Sequence, residues 1–455
     1  MNNKIKERFL EISRIPRLSG KEEKIVEYLE SFAKKHNLKY IKDTNRNIVI
    51  YKKGNRKGNI NIQCHTDMVC EKAKGSKHNF EEDPICVLEK DGYLFAKDTT
   101  LGADNGAGIA IILELLSNKN INHPDIACIF TSEEETTMQG AKSIPKNFFL
   151  GTRVLSLDSM TENVLVHGSA SAKVYDANKK VTRVYLKNMC RIRVNILGFL
   201  GGHSGEDIAK GRKNAAKILA EILKNTLGDI YVEKIKVGEK ANVIPLSAFA
   251  ILVCKEEECE KIQNHIYSIV NKYSNLEENI YAEIVVEKVK EVLATPAKEI
   301  VNEILELPCG SIIVENCNPK LSANIGRVVL DEDKFCIAIS TRSNILEKEE
   351  ELEKQIYKIL NTFVIDMKNI KGYCKNNSYF LEVCKKVYKK VYKKSPQEEE
   401  KHICLECGIF NEKIKDLEYV AISPNIYNAH STEEKVEIAS MYRIYKYVIE
   451  LLENI

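Results

Sequence analysis

The sequence predicts an α/β fold, a mainly parallel sheet covered by helices, interrupted by an inserted α+β domain. Three observations predict it. The chain has 455 residues, and at roughly 150 residues per domain it is too long for one small module. In the first 170 residues short apolar strand-like runs alternate with helical ones, the pattern of parallel βαβ units. From about Lys173 the texture changes to strands with one exposed face, and beyond residue 371 it changes back. The resulting division is residues 1–170 and 372–455 for one domain in two segments, with 171–371 inserted between them.

The elements follow in order. Ile5, Phe9 and Ile12, then Ile25, Tyr28, Leu29 and Phe32, recur at helical spacing on either side of the breaker segment Pro16 to Gly20. Strands are expected over 47–51 and 59–63, the second running up to His65, and a hairpin over 85–96 turned at Asp91-Gly92. Residues 108–116 read as a helix and 125–130 as a buried strand. In the insertion, Ile192, Val194 and Ile196 alternate with Arg191, Arg193 and Asn195. A helix over 209–225, strands within 241–253, a helix over 259–273 and strands over 282–289 and 335–340 complete it. Residues 370–377 are polar, and Phe380, Val383, Cys384, Val387 and Val391 mark a helix beyond them. Within that helix lies KKVYKKVYKK, residues 385–394. Its helical valine spacing makes it an apolar face with solvated lysines rather than a tract for nucleic acid.

Composition narrows the function classes. Hydrophobic residues make up 44% and charged ones 29%, with a net charge of +3, so no global charge favours nucleic acid or an anionic membrane. The fourteen cysteines form no dense framework and read as reduced, buried thiols. The longest apolar stretch, near 106–116, falls far short of the roughly 20 residues that span a bilayer. The charge-interrupted start MNNKIKERFLEISRIP lacks the apolar core of a signal peptide. The expected location is the cytoplasm.

The chemistry gathers in five places. His65-Thr-Asp67 follows a strand, where open α/β sheets place their ligands, and a carboxylate beside an imidazole fixes the tautomer of a metal ligand. Asp104 sits in the glycine-rich turn DTTLGADNGAG just before a helix. Glu133, Glu134 and Glu135 end another buried strand; beside a metal such a triplet supplies a ligand and a base. Asp158 ends the strand-like VLSLD, and His430 follows the apolar run at 419–422. Two histidines and three carboxylates at strand ends are what a pair of zinc ions about 3.5 to 4 Å apart requires, one carboxylate bridging.

In this order the chain resembles the M20 clan of co-catalytic zinc peptidases, and within it the aminoacyl-histidine dipeptidase (cytosol non-specific dipeptidase) family. The matching segments are IPRLSGKEEKIVEYL, QCHTDMV, DTTLGADNGAGIA, EEETTMQGA, LDS, GFLGGHSGEDI, ANVIP, STRS, LECGIF and SPNIYNAHSTEEKV. The resemblance implies two Zn2+ per subunit, with Mn2+ or Co2+ also accepted by such ligands. It implies that His65 and Asp158 bind one ion, Glu135 and His430 the other, and that Asp104 bridges them, with a cis peptide after it. Asp67 is then the residue that orients His65, and Glu134 the general base acting on a metal-bridging water. The inserted domain becomes a lid: His203 stabilises the oxyanion, Arg342 and Asn242 hold the substrate carboxylate, and Glu406 receives its ammonium. The implied partners are an unblocked dipeptide, Xaa-His and broader, and a second copy of the chain through the lid, with no nucleic acid and no membrane. The alternatives are another M20 hydrolase, an aminoacylase or carboxypeptidase, and a peptide-binding protein without turnover. Cys404 and Cys407 fall inside a family motif, so their C-x-x-C spacing is read as neither a zinc ribbon nor a redox pair. Thr137, Met160 and the 168–172 turn depart from the family pattern and put substrate preference in question.

Overall fold

The computed structural model describes residues 3–225, 230–277, 279–374 and 378–455. The chain forms two compact units. The first contains the residues up to Ser169 together with Tyr373–Lys401 and Leu405–Ile455; the second contains Ala170–Gly372 and His402–Cys404. Of the polar stretch 370–377, residues 375–377 lie outside the described residues.

The first unit is built on a nine-stranded sheet: β1 (Lys39–Lys42), β2 (Ile48–Lys52), β3 (Asn59–His65), β4 (Asp125–Thr131), β5 (Arg153–Ser156), β6 (Val164–Ser169), β7 (Tyr373–Cys374), β8 (Gln397–Lys401) and β9 (Glu418–Ala421). Their order is β1-β2-β4-β3-β5-β9-β6-β7, with β8 on β6. The four central strands β4, β3, β5 and β9 run parallel, and antiparallel pairings flank them on both sides. Every residue of β3 from Ile60 to His65 is buried, the near-continuous burial that parallel strands show when helices cover both faces. Helices Lys4–Ile12, Ala103–Ser117, Tyr379–Tyr392 and Ile438–Leu452 pack against one another and share one apolar core with the sheet. The hairpin at Asp91-Gly92 forms, with strands Val87–Lys90 and Tyr93–Ala96.

Helix Ala103–Ser117 starts five residues before the stretch expected from the sequence. All of its residues up to Leu116 are buried, as a helix apolar on every side requires. Gly102 precedes it with φ +68, and the helix bends at Asp104 and Asn105, whose connecting peptide is cis. Ser378 caps the helix Tyr379–Tyr392 by accepting from the Leu381 N–H at 3.0 Å. There Val383, Cys384, Val387 and Tyr388 face inward, Lys386, Lys389 and Lys390 are exposed, and Tyr388 stacks on Tyr392 at 4.3 Å. The lysine run is the solvated side of a packed helix.

The second unit carries an antiparallel nine-stranded sheet in the order Ala248–Cys254, Val184–Leu197, Tyr281–Pro296, Tyr231–Val237, Asn318–Asp331, Lys334–Ser343, Ser171–Lys180, Val364–Ile370, with Gly310–Glu315 on Asn318–Asp331. Helices Ala215–Asn225, Cys259–Ser274, Val301–Glu306 and Leu346–Ile359 cover it through a single apolar cluster. Here the structure corrects several sequence expectations. The helix expected over 209–225 begins only at Ala215, because Gly211 at φ +70 ends a short 3-10 turn before it. The strand expected over 282–289 extends across 281–296. The lysine-rich segment at 174–184 hides a strand, Ser171–Lys180, whose Lys173 pairs with Glu353 at 2.6 Å and whose Lys179 pairs with Glu303. Strand Asn318–Asp331 shows no alternation because residues 321–326 are buried without a break, and Val364–Ile370 shows none because it is an edge with hardly a buried residue.

Three residues, His402–Cys404, belong to this unit although the chain on either side of them belongs to the first. His402 is held at 2.7 Å by the Ser322 hydroxyl and at 2.8 Å by the Asn344 amide oxygen, and the Ala170 N–H donates to the Ile403 carbonyl at 3.0 Å. No disulfide links the fourteen cysteines, as expected of reduced thiols, but only some of them are buried: Cys86, Cys317 and Cys374 are exposed. Among the described residues no helix is long and apolar enough to cross a membrane.

Candidate active site

Strand direction brings the chemistry together. Because β3, β4, β5 and β9 are parallel, their C-terminal ends share one edge of the sheet, the place where open α/β sheets bind ligands. His65 is the last residue of β3, Glu133–Glu135 follow Thr131 at the end of β4, and Asp158 lies two residues past β5. His430 lies in the loop beyond β9, between the short strands Ile426–Tyr427 and Lys435–Glu437. Asp104 reaches the same edge from the first turn of its helix.

The contacts centre on Asp104. Its Oδ1 lies 3.0 Å from His65 Nε2 and its Oδ2 lies 3.3 Å from His430 Nε2, while Glu135 Oε1 lies 3.0 Å from the same His430 nitrogen. Donor atoms of His65, Asp104 and Asp158 all lie within 4.8 Å of one another, as do those of Asp104, Glu135 and His430, and those of His65, Glu134 and Glu135. Asp104 thus belongs to two ligand groups at once, the layout of a dinuclear metal centre.

Charge tests whether metal fits. Asp67, Asp104, Glu134, Glu135 and Asp158 crowd around two imidazoles. Hydrogen bonds that His430 donates to the Asp104 and Glu135 carboxylates push its pKa up to about 11. Burial works against a charged His65, yet Asp104 and Asp67 outweigh it and hold its pKa well above the ordinary histidine value. Burial, with Asp104 beside it, raises Asp158 to about 7. Burial raises Glu134 well above the usual carboxylate range, and Asp158, Glu135 and Glu406 add to this. The imidazoles hold Asp104 and Asp67 below the usual carboxylate range against their burial, while Asp158 and Glu134 are raised; carboxylates of both kinds with imidazole nitrogens turned toward them make a donor set suited to divalent cations.

Asp67 ties the pieces to one another. Its carboxylate accepts the backbone N–H of Glu134 at 3.0 Å and of Glu135 at 3.1 Å and the Ser19 hydroxyl at 2.7 Å, and lies 3.3 Å from His65 Nδ1. Glu133 is turned elsewhere: Arg46 pairs with it, and Thr137 donates to it at 3.1 Å. Of the triplet, Glu133 is thus held in a structural pair, while Glu134 and Glu135, the two that the family resemblance singles out, stand in the ligand groups. The sequence reading assigns no role to two further buried charged residues, Arg17 and Glu434, which grip the loops carrying Asp67 and Asp104. No periodicity marks them, because each acts on backbone atoms.

The family model described as peptidase family M20/M25/M40 matches residues 62–454. The chain belongs to this family. The M20 chain is 27% identical to the cytosol non-specific dipeptidase of Escherichia coli K12, across 98% of itself and 96% of that relative. Among solved structures, the aminoacylhistidine dipeptidase of Vibrio alginolyticus matches with a TM-score of 0.86 and 25% identity, covering 100% of this chain and 97% of that one. A tripeptidase from Staphylococcus aureus shares the fold at a TM-score of 0.61 and 15% identity, covering 99% of this chain and 97% of the other.

The remaining candidates of this M20 peptidase divide between the units. Glu406, the first residue of helix Glu406–Lys413, is 3% exposed. Its Oε2 accepts from Gln63 Nε2 and from the Thr131 hydroxyl at 2.9 Å, its Oε1 has no hydrogen-bond partner, and burial pushes its pKa up to about 8. In the second unit, His203 forms a short strand with Val243, and its Nε2 lies 3.3 Å from an Arg342 Nη2. Burial, with Arg342 beside it, lowers the His203 pKa. Arg342 is buried in strand Lys334–Ser343, contacts Cys404 Sγ at 3.6 Å, and leaves its Nε without a partner. Asn242 is exposed, and its carbonyl accepts the Ser204 N–H at 2.9 Å. Cys404 and Cys407 fall in different units, Cys407 lying 3.2 Å from the Ser169 hydroxyl.

Proposed function

We propose that the chain is a dinuclear zinc dipeptidase that hydrolyses unblocked dipeptides. The observation that carries this reading is the pair of ligand groups sharing Asp104, with Glu134 close by on the loop that supplies Glu135. His65 and Asp158 hold one ion, Glu135 and His430 the other, and Asp104 both. When bound, the metal pair polarises the scissile carbonyl and lowers the pKa of the attacking water toward neutrality. Glu134 takes the water's proton and passes it to the leaving amine. A carboxylate surrounded by Asp158, Glu135 and Glu406 binds a proton readily, as a group that must accept and then deliver one needs to. Asp67 holds His65 in the tautomer that presents Nε2 to the metal and fixes the Glu134 and Glu135 amides.

In the same reading the inserted domain, residues 171–371, recognises the substrate. The open Nε of Arg342 supports its binding of the substrate carboxylate through a planar guanidinium, and Asn242 binds the same carboxylate. His203, neutral through its lowered pKa, donates to the oxyanion. Glu406 receives the free ammonium on Oε1, the oxygen without a partner. Two copies associate through this domain. Strand Tyr281–Pro296 meets Tyr231–Val237 only through Thr295 and Pro296, so most of one of its edges is unpaired among the described residues, and Tyr281, Val285 and Val286 on it are exposed. Likeness to a cytosol dipeptidase supports a cytoplasmic location.

The test is a panel of free dipeptides, including Xaa-His members, beside N-acetylated dipeptides and tripeptides, with zinc-, manganese- or cobalt-loaded protein and the Glu134→Gln variant in parallel. Cleavage of free dipeptides alone, lowered in the variant by the 10² to 10⁴-fold that a general base contributes, is the expected result. Cleavage of the acetylated set moves the chain to the acylases or carboxypeptidases. No turnover with any metal makes it a binding protein.

A further inference from the structure

Arg17 is 2% exposed, and its guanidinium hydrogen bonds go to backbone oxygens, with the charges of Glu434, Asp67 and Asp104 acting on it as well. One guanidinium nitrogen donates to the Thr66 carbonyl at 3.1 Å and the Asp67 carbonyl at 2.9 Å, and the other donates to the Gly102 carbonyl. A single fork therefore joins the loop after β3, which carries His65 and Asp67, to the turn that carries Asp104. Only a planar guanidinium presents donors to two segments in this fixed geometry; a lysine ammonium is a point charge on a flexible stem. The backbone of position 17 is fixed as well, since its carbonyl accepts the Met68 N–H at 3.1 Å, and two residues on, the Ser19 hydroxyl donates to the Asp67 carboxylate.

The opposite polarity of the same turn is taken by Glu434. It is 2% exposed, and its carboxylate accepts the backbone N–H groups of Leu101 at 2.7 Å, Gly102 at 2.8 Å and Asp104 at 3.2 Å. Glu434 lies four residues after His430, so the segment that contributes one histidine also contributes the anchor for the shared carboxylate. The packing leaves no slack. A Cβ at Gly102 would lie 2.4 Å from an Arg17 Nη2 and 2.7 Å from Met68 Sδ, and one at Gly106 would lie 2.8 Å from the same nitrogen.

We propose that Arg17 and Glu434 are positioning residues that clamp the Leu101–Asp104 turn from both sides, carbonyl and amide, and thereby set the Asp104 carboxylate between the two histidines. Neither residue touches metal or substrate in this role. The clamp determines metal affinity, because a ligand held in place by its surroundings loses less freedom when the ion binds. This inference rests on the metal reading of the site.

The experiment measures the affinity of metal-stripped protein for Zn2+ by competition with a chromophoric chelator, for wild type, Glu434→Gln and Arg17→Lys, alongside thermal unfolding of the same metal-free samples. Both variants remove part of the clamp at nearly constant volume, so one reports if the other does not fold. Expected is a 10- to 100-fold loss of zinc affinity in each folded variant, the range typical of groups that orient metal ligands. The KM for a dipeptide at saturating metal stays within about twofold of wild type, since neither residue meets the substrate. Lower melting temperatures with zinc affinity unchanged would make the pair structural only and overturn the proposal. Failure of the wild type to bind two equivalents of zinc overturns the metal reading itself, a different result from variants that bind as the wild type does.

Discussion

Asp67→Asn changes one atom and tests how the site is held together. The carboxylate accepts the Glu134 N–H on Oδ1 and the Glu135 N–H on Oδ2. An asparagine keeps one acceptor oxygen, so in either orientation its NH2 faces one of these two amides. At least one hydrogen bond to a charged acceptor is lost, about 1.5 to 3 kcal/mol. His65 Nδ1 also loses the anion 3.3 Å away. At roughly 1.4 kcal/mol per factor of ten, the loss corresponds to about 10- to 100-fold in kcat/KM. The assay is steady-state hydrolysis of a free dipeptide with zinc content measured on the same sample and unfolding monitored in parallel, so that a lost metal or a lost fold is told apart from a misplaced base. A change below threefold with zinc retained would refute the argument that Asp67 couples His65 to the Glu134–Glu135 backbone.

Four further outcomes follow from the structure and the proposed function. Gly102→Ala places a methyl against Arg17 and Met68 at φ +68 and destabilises the protein by about 2 to 4 kcal/mol in denaturant unfolding, combining overpacking with a left-handed alanine. Gly20→Ala, at φ +81 with open space around it, loses only about 1 to 2 kcal/mol. Chelation of the metal abolishes hydrolysis and lowers the melting temperature, and zinc restores both; ligand held at 100 times its Kd contributes about 2.7 kcal/mol. Burial, with Arg342 nearby, holds His402 at about 4, below its ordinary 6.5. The folded protein thus resists the proton that the unfolded chain accepts, and its stability falls as pH drops from about 6.5 to about 4 and levels off below. The full difference is about 3 kcal/mol, and urea titrations of wild type and His402→Gln across this range should diverge only there.

The sequence makes His65, the glutamate triplet and Asp158 stand out because each follows an apolar run, whereas Asp104 is marked by its glycine-rich turn. His65, the glutamate triplet and Asp158 all mark the ends of parallel strands, and a chain in βαβ order delivers such ends to one edge. What stayed hidden had different causes. Without the family resemblance nothing in Glu-Glu-Glu distinguishes its members, because Arg46, which draws Glu133 off, is 87 residues away. Arg17 and Glu434 act on carbonyls and amides, and the side-chain pattern does not record backbone partners. In the second unit, strands such as Ser171–Lys180 carry lysines neutralised by glutamates on helices more than a hundred residues later in the chain, so local hydropathy misreads them. The three-residue excursion His402–Cys404 has no compositional mark either, since its partners Ser322 and Asn344 are brought near only by the fold.

The arrangement also bears on where selectivity must arise. In the proposed function every group in the first unit's cluster acts on features common to all peptide bonds: the ligands hold the metals that meet a carbonyl and a water, and Glu134 moves a proton. Asp67, Arg17 and Glu434 fix these groups through the backbone, which leaves the cluster little freedom to adapt to one side chain over another. Length selection requires charges that meet both ends of the substrate, a cation for the carboxylate and an anion for the ammonium. In the proposed reading Arg342 and Glu406 take these two parts; each is buried and keeps one polar atom without a hydrogen-bond partner. Exchanging either for a neutral residue of like volume, Arg342→Met or Glu406→Gln, should therefore erode the preference for dipeptides over tripeptides or acetylated dipeptides more than it erodes zinc binding. A variant that lost both in equal measure would place that residue in the metal scaffold instead.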